Sequence, residues 1–482
     1  MDVKKKTAAD LRQMLLTEDS PARNIINSLF DEGTFVELGA YVKRSKTEFD
    51  NETIDCDFEG VITGYGAVNG HLTYAFIQDF TRMKGALSEA YAKKIISLYD
   101  TALNNNAPLI GVFDSAGAFI TEGIGALSGY GSIMRKAAYA SGIIPQVAVI
   151  TGVCSGAAAI IANMFDIKIG VEEKGAFYIN SPFIIKEKFK DKSAGTIKNA
   201  AINGIIDVVK SDTESAVECV KELLAYLPAN AINGTNIDAS NDDVNRLTFE
   251  IDGIIKSNDY DMKQIISVIA DENNFFELSS NNAEESFTGF VRLNGSVIGV
   301  AATRPNIKNG ALSAKAALKI KNFIDFCNSF KIPLLTLVDT NGYDISVESE
   351  NTPYSYALAE LAASYSLSDN AKVTVIVGKA YGSSFTLLGS KKLGTDIVYA
   401  LDTAKISIME PEAAVRMVWN DQITKSDDPV KTKAELLDKW NDAIASPLEA
   451  AKNGDIDDII SFEELRQRIA AAFEMLAFKN GG

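Results

Sequence analysis

Short, uninterrupted apolar runs alternate with longer amphipathic stretches along most of this chain. LIGVF (109–113), QVAVIT around 147–151, LLTLV (334–338) and VTVIV (373–377) are too short for helices and show no polar alternation. They predict strands buried on both faces. Paired runs at 61–66 and 72–78, and again at 287–293 and 297–303, flank Asn69–Gly70 and Asn294–Gly295. An Asn-Gly pair between strand-like runs predicts a tight hairpin. Stretches at 87–105, about 128–141, 312–329 and 353–365 have helical spacing, and Ser20–Pro21 reads as the start of a capped helix within a helical first 30 residues. Strands alternating with helices predict an α/β fold with a largely parallel sheet.

The pattern occurs twice. AVNGHLTYAF (67–76) resembles RLNGSVIGVA (292–301), and KGALSEAYAKKI (84–95) resembles NGALSAKAALKI (309–320). APLIGVFDSAGA (107–118) resembles IPLLTLVDTNGY (332–343), and VAVITGVCSGAA (147–158) resembles VTVIVGKAYGSS (373–384). Asn69 to Asn294, Gly85 to Gly310 and Asp114 to Asp339 are each 225 positions, and Gly156 to Gly382 is 226. Blocks held in register over that span predict a duplicated domain. The polar stretch 228–245 separates the copies, and we set the domains at 1–240 and 241–482.

In both copies a buried strand runs into almost nothing but small residues. Gly152, Ser155, Gly156 and Ala157 in the first copy, and Gly378, Gly382, Ser383 and Ser384 in the second, open the next helix. The first N–H groups of a helix have no intrahelical acceptor, and small residues leave them accessible to negative charge. Where that charge develops during a reaction, such a turn is an oxyanion hole. Tight helix–sheet packing is the other reading of the same residues.

Composition narrows the chemistry. The formal net charge of −17 excludes nucleic acid as a partner. The single histidine, His71, lies in the hairpin VNGHLTY, so histidine-based triads have no seat. Phosphate-binding and dinucleotide-binding glycine motifs are absent from the sequence. Cys56, Cys154, Cys219 and Cys327 stand far apart without a C-x-x-C pair, which argues against disulfides and structural zinc and for a reducing, cytoplasmic setting. Neither a secretory leader nor a membrane-length apolar run is visible. Asp114 and Asp339, each ending a buried strand, read as turn or helix caps; Cys154 reads as a small buried residue; Arg82 and Lys84 read as a solvated cationic pair, and KEKFKDK (186–192) as a solvated surface segment.

Several blocks together carry a family resemblance. RNIINSLFDEGTFVELGAYV, FEGVITGYGAVNG, FIQDFTRMKGALSEAYAKKI, DSAGAFITEGIGALSGYGSI and ASGIIPQVAVITGVCSGAA follow in order, then VTVIVGKAYGSSF and KLGTDIVYALDTAKISIMEPEAAV. The chain resembles the carboxyltransferase subunits of biotin-dependent acyl-CoA carboxylases, such as propionyl-CoA carboxylase β chains. It equally resembles the α subunits of sodium-pumping acyl-CoA decarboxylases. The resemblance implies two tandem crotonase-like domains of the ClpP/crotonase superfamily and transfer of a carboxyl group between biotin and a short acyl-CoA. Gly156–Ala157 would then hold the thioester enolate, and Ser383–Ser384, after Gly382, the ureido oxygen of biotin. It implies further substrate-binding positions at Gly85, Ala116, Gly117 and Ala118 in the first copy and at Gly342, Tyr343, Gly382, Phe385 and Thr386 in the second. It also implies a homo-oligomer, a hexamer built as a trimer of dimers with the site shared between protomers.

No biotin-attachment A-M-K-M run occurs in the sequence, so biotin is expected on a separate carrier protein, with a biotin carboxylase or a membrane sodium-pump subunit as a further partner. In the latter case the chain would sit peripherally at the membrane. Departures from the family pattern include Ala157, Ala116, Phe119, Ser383, Ser384 and Thr386. They leave room for an alternative, a catalytically altered scaffold subunit of such a complex. A crotonase-type hydratase would need a pair of pocket carboxylates that neither copy displays.

Overall fold

The computed structural model describes residues 7–15, 20–50, 58–190, 193–257 and 259–480, apart from 233, 235, 236 and 238. Cys56 and residues 191–192 of KEKFKDK lie outside the described residues. Chain packing divides the molecule into two compact units, Met1–Asn233 and Gly234–Gly482. The division falls within the polar stretch 228–245.

Unit 1 is built on a seven-stranded sheet. Its strands are β1 (Val36–Leu38), β2 (Val61–Val68), β3 (His71–Gln78), β4 (Leu109–Phe113), β5 (Gln146–Ile150), β7 (Ile167–Val171) and β9 (Val208–Lys210), in that spatial order. The first three pair antiparallel and the remainder parallel. A separate parallel pair, β6 (Val153–Ser155) with β8 (Ala176–Tyr178), stands off the main sheet. Unit 2 repeats the arrangement with β10 (Phe275–Leu278), β11 (Ser286–Leu293), β12 (Ser296–Thr303), β13 (Leu334–Thr340), β14 (Lys372–Tyr381), β15 (Ile397–Leu401) and β17 (Asp458–Ile460); β16 (Lys405–Ser407) joins the far end of β14. β4 and β5 are buried at every residue, as is β13, because helices cover the sheet on both sides.

The repeat extends to single hydrogen bonds. Asn69 and Asn294 both take φ 51° in their hairpins, which only a few residue types tolerate. The carboxylate of Asp31 accepts from the N–H groups of Asn69 (3.1 Å) and Gly70 (2.8 Å); Asp271 does the same for Asn294 (3.0 Å) and Gly295 (2.8 Å). Ser88 caps helix Glu89–Asn104 by accepting from the Tyr91 N–H, and Ser313 caps helix Ala314–Ser329 through Ala316. The expected helix start at Ser20–Pro21 is present, with Pro21 at the first position of helix Pro21–Leu29. The Ser20 hydroxyl makes no cap; it donates to Asp79 Oδ2 at 2.9 Å.

Candidate functional site

In unit 1, β5 ends at Ile150, the chain makes the short strand β6, and helix Ala157–Asn163 starts. Gly156 sits at the turn with φ +54°, and a Cβ there would meet no atom within 4 Å. In unit 2, β14 continues to Tyr381, Gly382 turns with φ +66°, and helix Ser384–Leu387 follows. The two turns share an anchor. The Gly156 N–H donates to the Tyr178 carbonyl at 2.9 Å, and the Gly382 N–H donates to the Ser407 carbonyl at 2.9 Å. Gly156 and Gly382 are therefore the hinges of the turns, and their own N–H groups are engaged.

The free donors come next in the chain. The N–H groups of Ala157 and Ala158, and of Ser383 and Ser384, meet no acceptor among the described residues. Ala157 is half-buried and Ser383 exposed, whereas Ala158 and Ser384 are buried. The Ser384 hydroxyl points inward and donates to the Tyr381 carbonyl at 2.6 Å. By position Ala157 corresponds to Ser383, so the second copy's exposed donor is one residue earlier than Ser384.

Gly152 and Gly378, expected to expose N–H groups, serve differently. A Cβ on Gly152 would lie 2.0 Å from Asp114 Oδ1, and one on Gly378 would lie 2.3 Å from Asp339 Oδ2. These glycines make room for carboxylates. Neither aspartate caps a helix. Asp114 Oδ1 accepts from the Val153 N–H (3.1 Å) and Asp339 Oδ1 from the Lys379 N–H (2.9 Å), clamping the chain that leads into each turn to the end of the adjacent strand, β4 or β13. Burial pushes both carboxyls above the usual carboxylate range; the clamping N–H pulls each back.

The adjoining loops are equally matched. Gly117 has φ +111° and Gly342 φ +122°, each N–H accepted by a hydroxyl two residues earlier, Ser115 (3.1 Å) and Thr340 (3.0 Å). Their carbonyls take the N–H groups of Leu87 (2.9 Å) and Leu312 (3.0 Å), which docks each loop on the start of the neighbouring helix. Ser115 also donates its N–H to the Val153 carbonyl at 2.9 Å, so the Ala116–Ala118 loop is tied to the Gly156 turn. Ala116 is exposed; Ala118 and Tyr343 are half-buried. A Cβ on Gly342 would lie 3.6 Å from the Tyr381 carbonyl, which places this loop beside the second turn. Phe385 is half-buried and Thr386 exposed on the short helix after it.

Gly85 is buried, with φ +63°, and a Cβ there would meet the Asp114 carbonyl at 2.5 Å, so glycine at this position lets two backbones pack. One expectation needs correction. Arg82 is buried as well, 3.8 Å from Asp79 with its guanidinium 5.6 Å from the centre of the Phe58 ring, and is not a solvated cation. Sequence reading missed Arg44. Its guanidinium lies 4.1 Å above the Phe119 ring and 2.6 Å from Asp50, which also accepts from the Thr121 hydroxyl at 2.9 Å. This braces the loop after Ala118. Cys154 is fully buried, and burial pushes its thiol far up, so it is no nucleophile.

Fold and site together define a duplicated α/β protein with one backbone-amide turn per copy. The chain belongs to the carboxyl transferase domain family, whose sequence model matches residues 20–481. It is a carboxyltransferase. It is 35% identical over 466 residues to the methylmalonyl-CoA decarboxylase subunit alpha of Propionigenium modestum, covering 95% of this chain and 90% of that one. It is 36% identical over 469 residues to a putative propionyl-CoA carboxylase beta chain of Bacillus subtilis strain 168, with 95% and 90% covered. Among solved structures, the hexameric transcarboxylase 12S core with methylmalonyl-coenzyme A bound superposes with a TM-score of 0.90 at 33% identity, covering 95% of this chain and 89% of that one.

Proposed function

We propose that this chain catalyses carboxyl transfer between biotin and a short acyl-CoA, as the transferase component of an acyl-CoA carboxylase or decarboxylase. Each unit is then a crotonase-like domain, with the acyl-CoA at the turn of unit 1 and biotin at the turn of unit 2. The observation that carries this reading is the pair of turns with unpaired N–H groups at Ala157 and Ser383, set by matching glycine hinges.

When a carboxyl group leaves or joins the carbon next to a thioester, negative charge collects on the thioester oxygen. The Ala157 N–H, at the positive end of its helix, would donate to that oxygen, with the Gly117–Ala118 loop alongside. Biotin, brought by a biotin carboxyl carrier protein, supplies or accepts the carboxyl group; the Ser383 and Ser384 N–H groups would hold its ureido oxygen. Backbone donors need no particular side chain, so the alanines and serines at family glycine positions leave these donors in place. That favours an active transferase over a scaffold. Cys154, beside the first turn, is buried, and burial favours its neutral thiol.

Exposed apolar side chains support an assembly. Ile120 is 89% exposed, and its counterpart Ile345, 225 positions on, is 100% exposed. Phe183 in unit 1 and Ile408 and Met417 in unit 2 are each more than two-thirds exposed. Bare apolar groups in matching places call for cover. We read them as interfaces of a homo-oligomer, a hexamer, and a monomer in light scattering would overturn that. A biotin carboxylase or a membrane decarboxylase subunit completes the complex, with this chain on the cytoplasmic side. No helix among the described residues is long and apolar enough to cross a membrane.

The direct test is incubation with methylmalonyl-, malonyl- or glutaconyl-CoA and free biotin. The expected result is biotin-dependent decarboxylation of one of these thioesters, followed by chromatography. Absence of turnover with all three overturns the assignment.

A further inference from the structure

In unit 1 a cavity of about 550 Å3 opens between helix Pro21–Leu29, helix Thr213–Tyr226 and the carboxyl ends of β3, β4 and β5. It lies apart from the donors of the amide turn: neither Gly156 nor Ala157 lines it. Ile25 and Val217 supply apolar wall, and Asp79 and Asp114 polar floor. Carboxyl ends of parallel strands are a common place for ligands.

Unit 2 shows how its own chain fills the equivalent position. Tyr260 is buried there, and its hydroxyl donates to Asp339 Oδ2 at 2.6 Å. Arg304 stands where unit 1 has Asp79, 225 positions earlier, and forks onto Asp261 at 2.6 and 3.0 Å. Among its described residues unit 1 has neither device. Asp114 keeps its clamp on Val153, but no side chain among the described residues donates to it. The charges point one way. Asp79, Asp114 and Glu214 line the cavity against a single cation, Lys174. Asp79 is already engaged by the Ser20 hydroxyl (2.9 Å), the Thr81 hydroxyl and N–H (2.5 and 3.1 Å) and Arg82 (3.8 Å), so it is Asp114 whose second oxygen meets no side-chain donor among the described residues. Burial, and less strongly the neighbouring Asp79, penalise the Asp114 anion, while the Val153 N–H and Lys174 offset part of that; a cation bound at the free oxygen would relieve the rest.

We propose that this cavity is a second ligand site, separate from the carboxyl-transfer site, for a small organic cation with a flat apolar body. Its ammonium group meets Asp114 where the Tyr260 hydroxyl meets Asp339, and its apolar part lies against Ile25 and Val217.

Tyramine and p-cresol test this. Both carry the phenol of the tyrosine side chain, and only tyramine adds the charge. Binding to the full-length protein is measured by calorimetry, with folding of each variant checked by circular dichroism. Tyramine is expected to bind at least about tenfold more tightly than p-cresol, the usual scale of a charge-assisted hydrogen bond. Asn24→Trp places a large ring into the cavity from an exposed position and is expected to abolish both binding events while leaving carboxyl transfer unchanged. Asp114→Asn keeps an oxygen for the Val153 N–H and is expected to weaken tyramine by about tenfold or more. Failure of both probes to bind at millimolar concentration overturns the proposal. So does tyramine binding that survives both substitutions. Equal affinity for the two probes overturns the cation assignment, and loss of carboxyl transfer in folded Asn24→Trp overturns the separation of the sites.

Discussion

Asp114 and Asp339 perform the same clamping in the two units, yet only Asp339 has a phenol against its second oxygen. The comparison separates what the turn requires from what is local to each copy. A carboxylate gripping the next N–H, a glycine making room for it, a glycine hinge with positive φ and a free amide behind it occur in both. The plug behind the carboxylate, and the sign of the charge at the Asp79/Arg304 position, occur in one copy each. On the reading proposed above, the common features serve to hold an oxyanion, and the differing ones are free to serve other ligands or stability alone.

The sharpest way to break this comparison is to remove one amide from each turn. Ala157 is the first residue of its helix, where proline is tolerated, and Ser383 has φ −70°, which proline accepts. Ala157→Pro and Ser383→Pro are each expected to lower carboxyl transfer by ~10²–10³-fold with the protein still folded, as for loss of one oxyanion donor. The defects should differ in kind. Ala157→Pro should raise KM for the acyl-CoA or abolish its binding in calorimetry, whereas Ser383→Pro should keep acyl-CoA binding and lose the dependence on biotin. Wild-type rates in both folded variants would make the turns packing devices.

Replacing the hinge tests strain as well as access. Gly156→Val and Gly382→Val put β-branched residues at φ +54° and +66°. Each is expected to destabilise by roughly 1–3 kcal/mol in chemical denaturation, besides blocking transfer. Similar losses in the two copies would support equivalent hinges; a loss in one alone would not.

A third comparison concerns pH. Asp166 Oδ2 takes the Gln146 N–H (2.8 Å) at the start of β5, and burial raises its carboxyl to about 7 despite that bond and nearby Lys168. A folded-state value above the unfolded one means that its stabilisation is complete below about pH 4 and lost as pH rises through 7. Asp166→Asn, which can still accept from Gln146, is expected to flatten denaturation midpoints between those limits. Because Asp166 retains some exposure, the change should be roughly 1–3 kcal/mol. In unit 2, Asp396 takes the Lys372 N–H and pairs with the Lys479 ammonium at 2.7 Å. Asp396→Asn loses that part-exposed pair, with an expected cost of up to about 1 kcal/mol. Tyr260→Phe, which leaves Asp339 one donor short, should cost about 1 kcal/mol, measured by the same denaturation.

Much of the site was legible because the chain states it twice. A fixed offset between Asp114 and Asp339, or Gly156 and Gly382, survives any ambiguity in reading one strand. Asn-Gly hairpins and serine caps were legible because their signals are local: the residue that bends the backbone is the residue seen. What stayed hidden depends on partners distant in sequence. Gly152 looks like an exposed amide until the Asp114 side chain is placed on it. The Gly156 N–H looks free until β8 brings the Tyr178 carbonyl to it. Arg44 gives no signal at all, since its partner ring, Phe119, is 75 residues away.

By itself, then, the sequence determined the duplication, the order of strands and helices, and the places where small residues open a helix. Those follow from periodicity and backbone preference, which act within a few residues. Only the tertiary structure decided which amides remain free, Ala157 and Ser383 rather than the hinges. It alone showed that unit 2 closes over its clamp with Tyr260 while unit 1 leaves a cavity beside Asp114. A hydrogen-bond donor is free or engaged according to what the fold brings within about 3 Å of it, and local sequence carries no record of that.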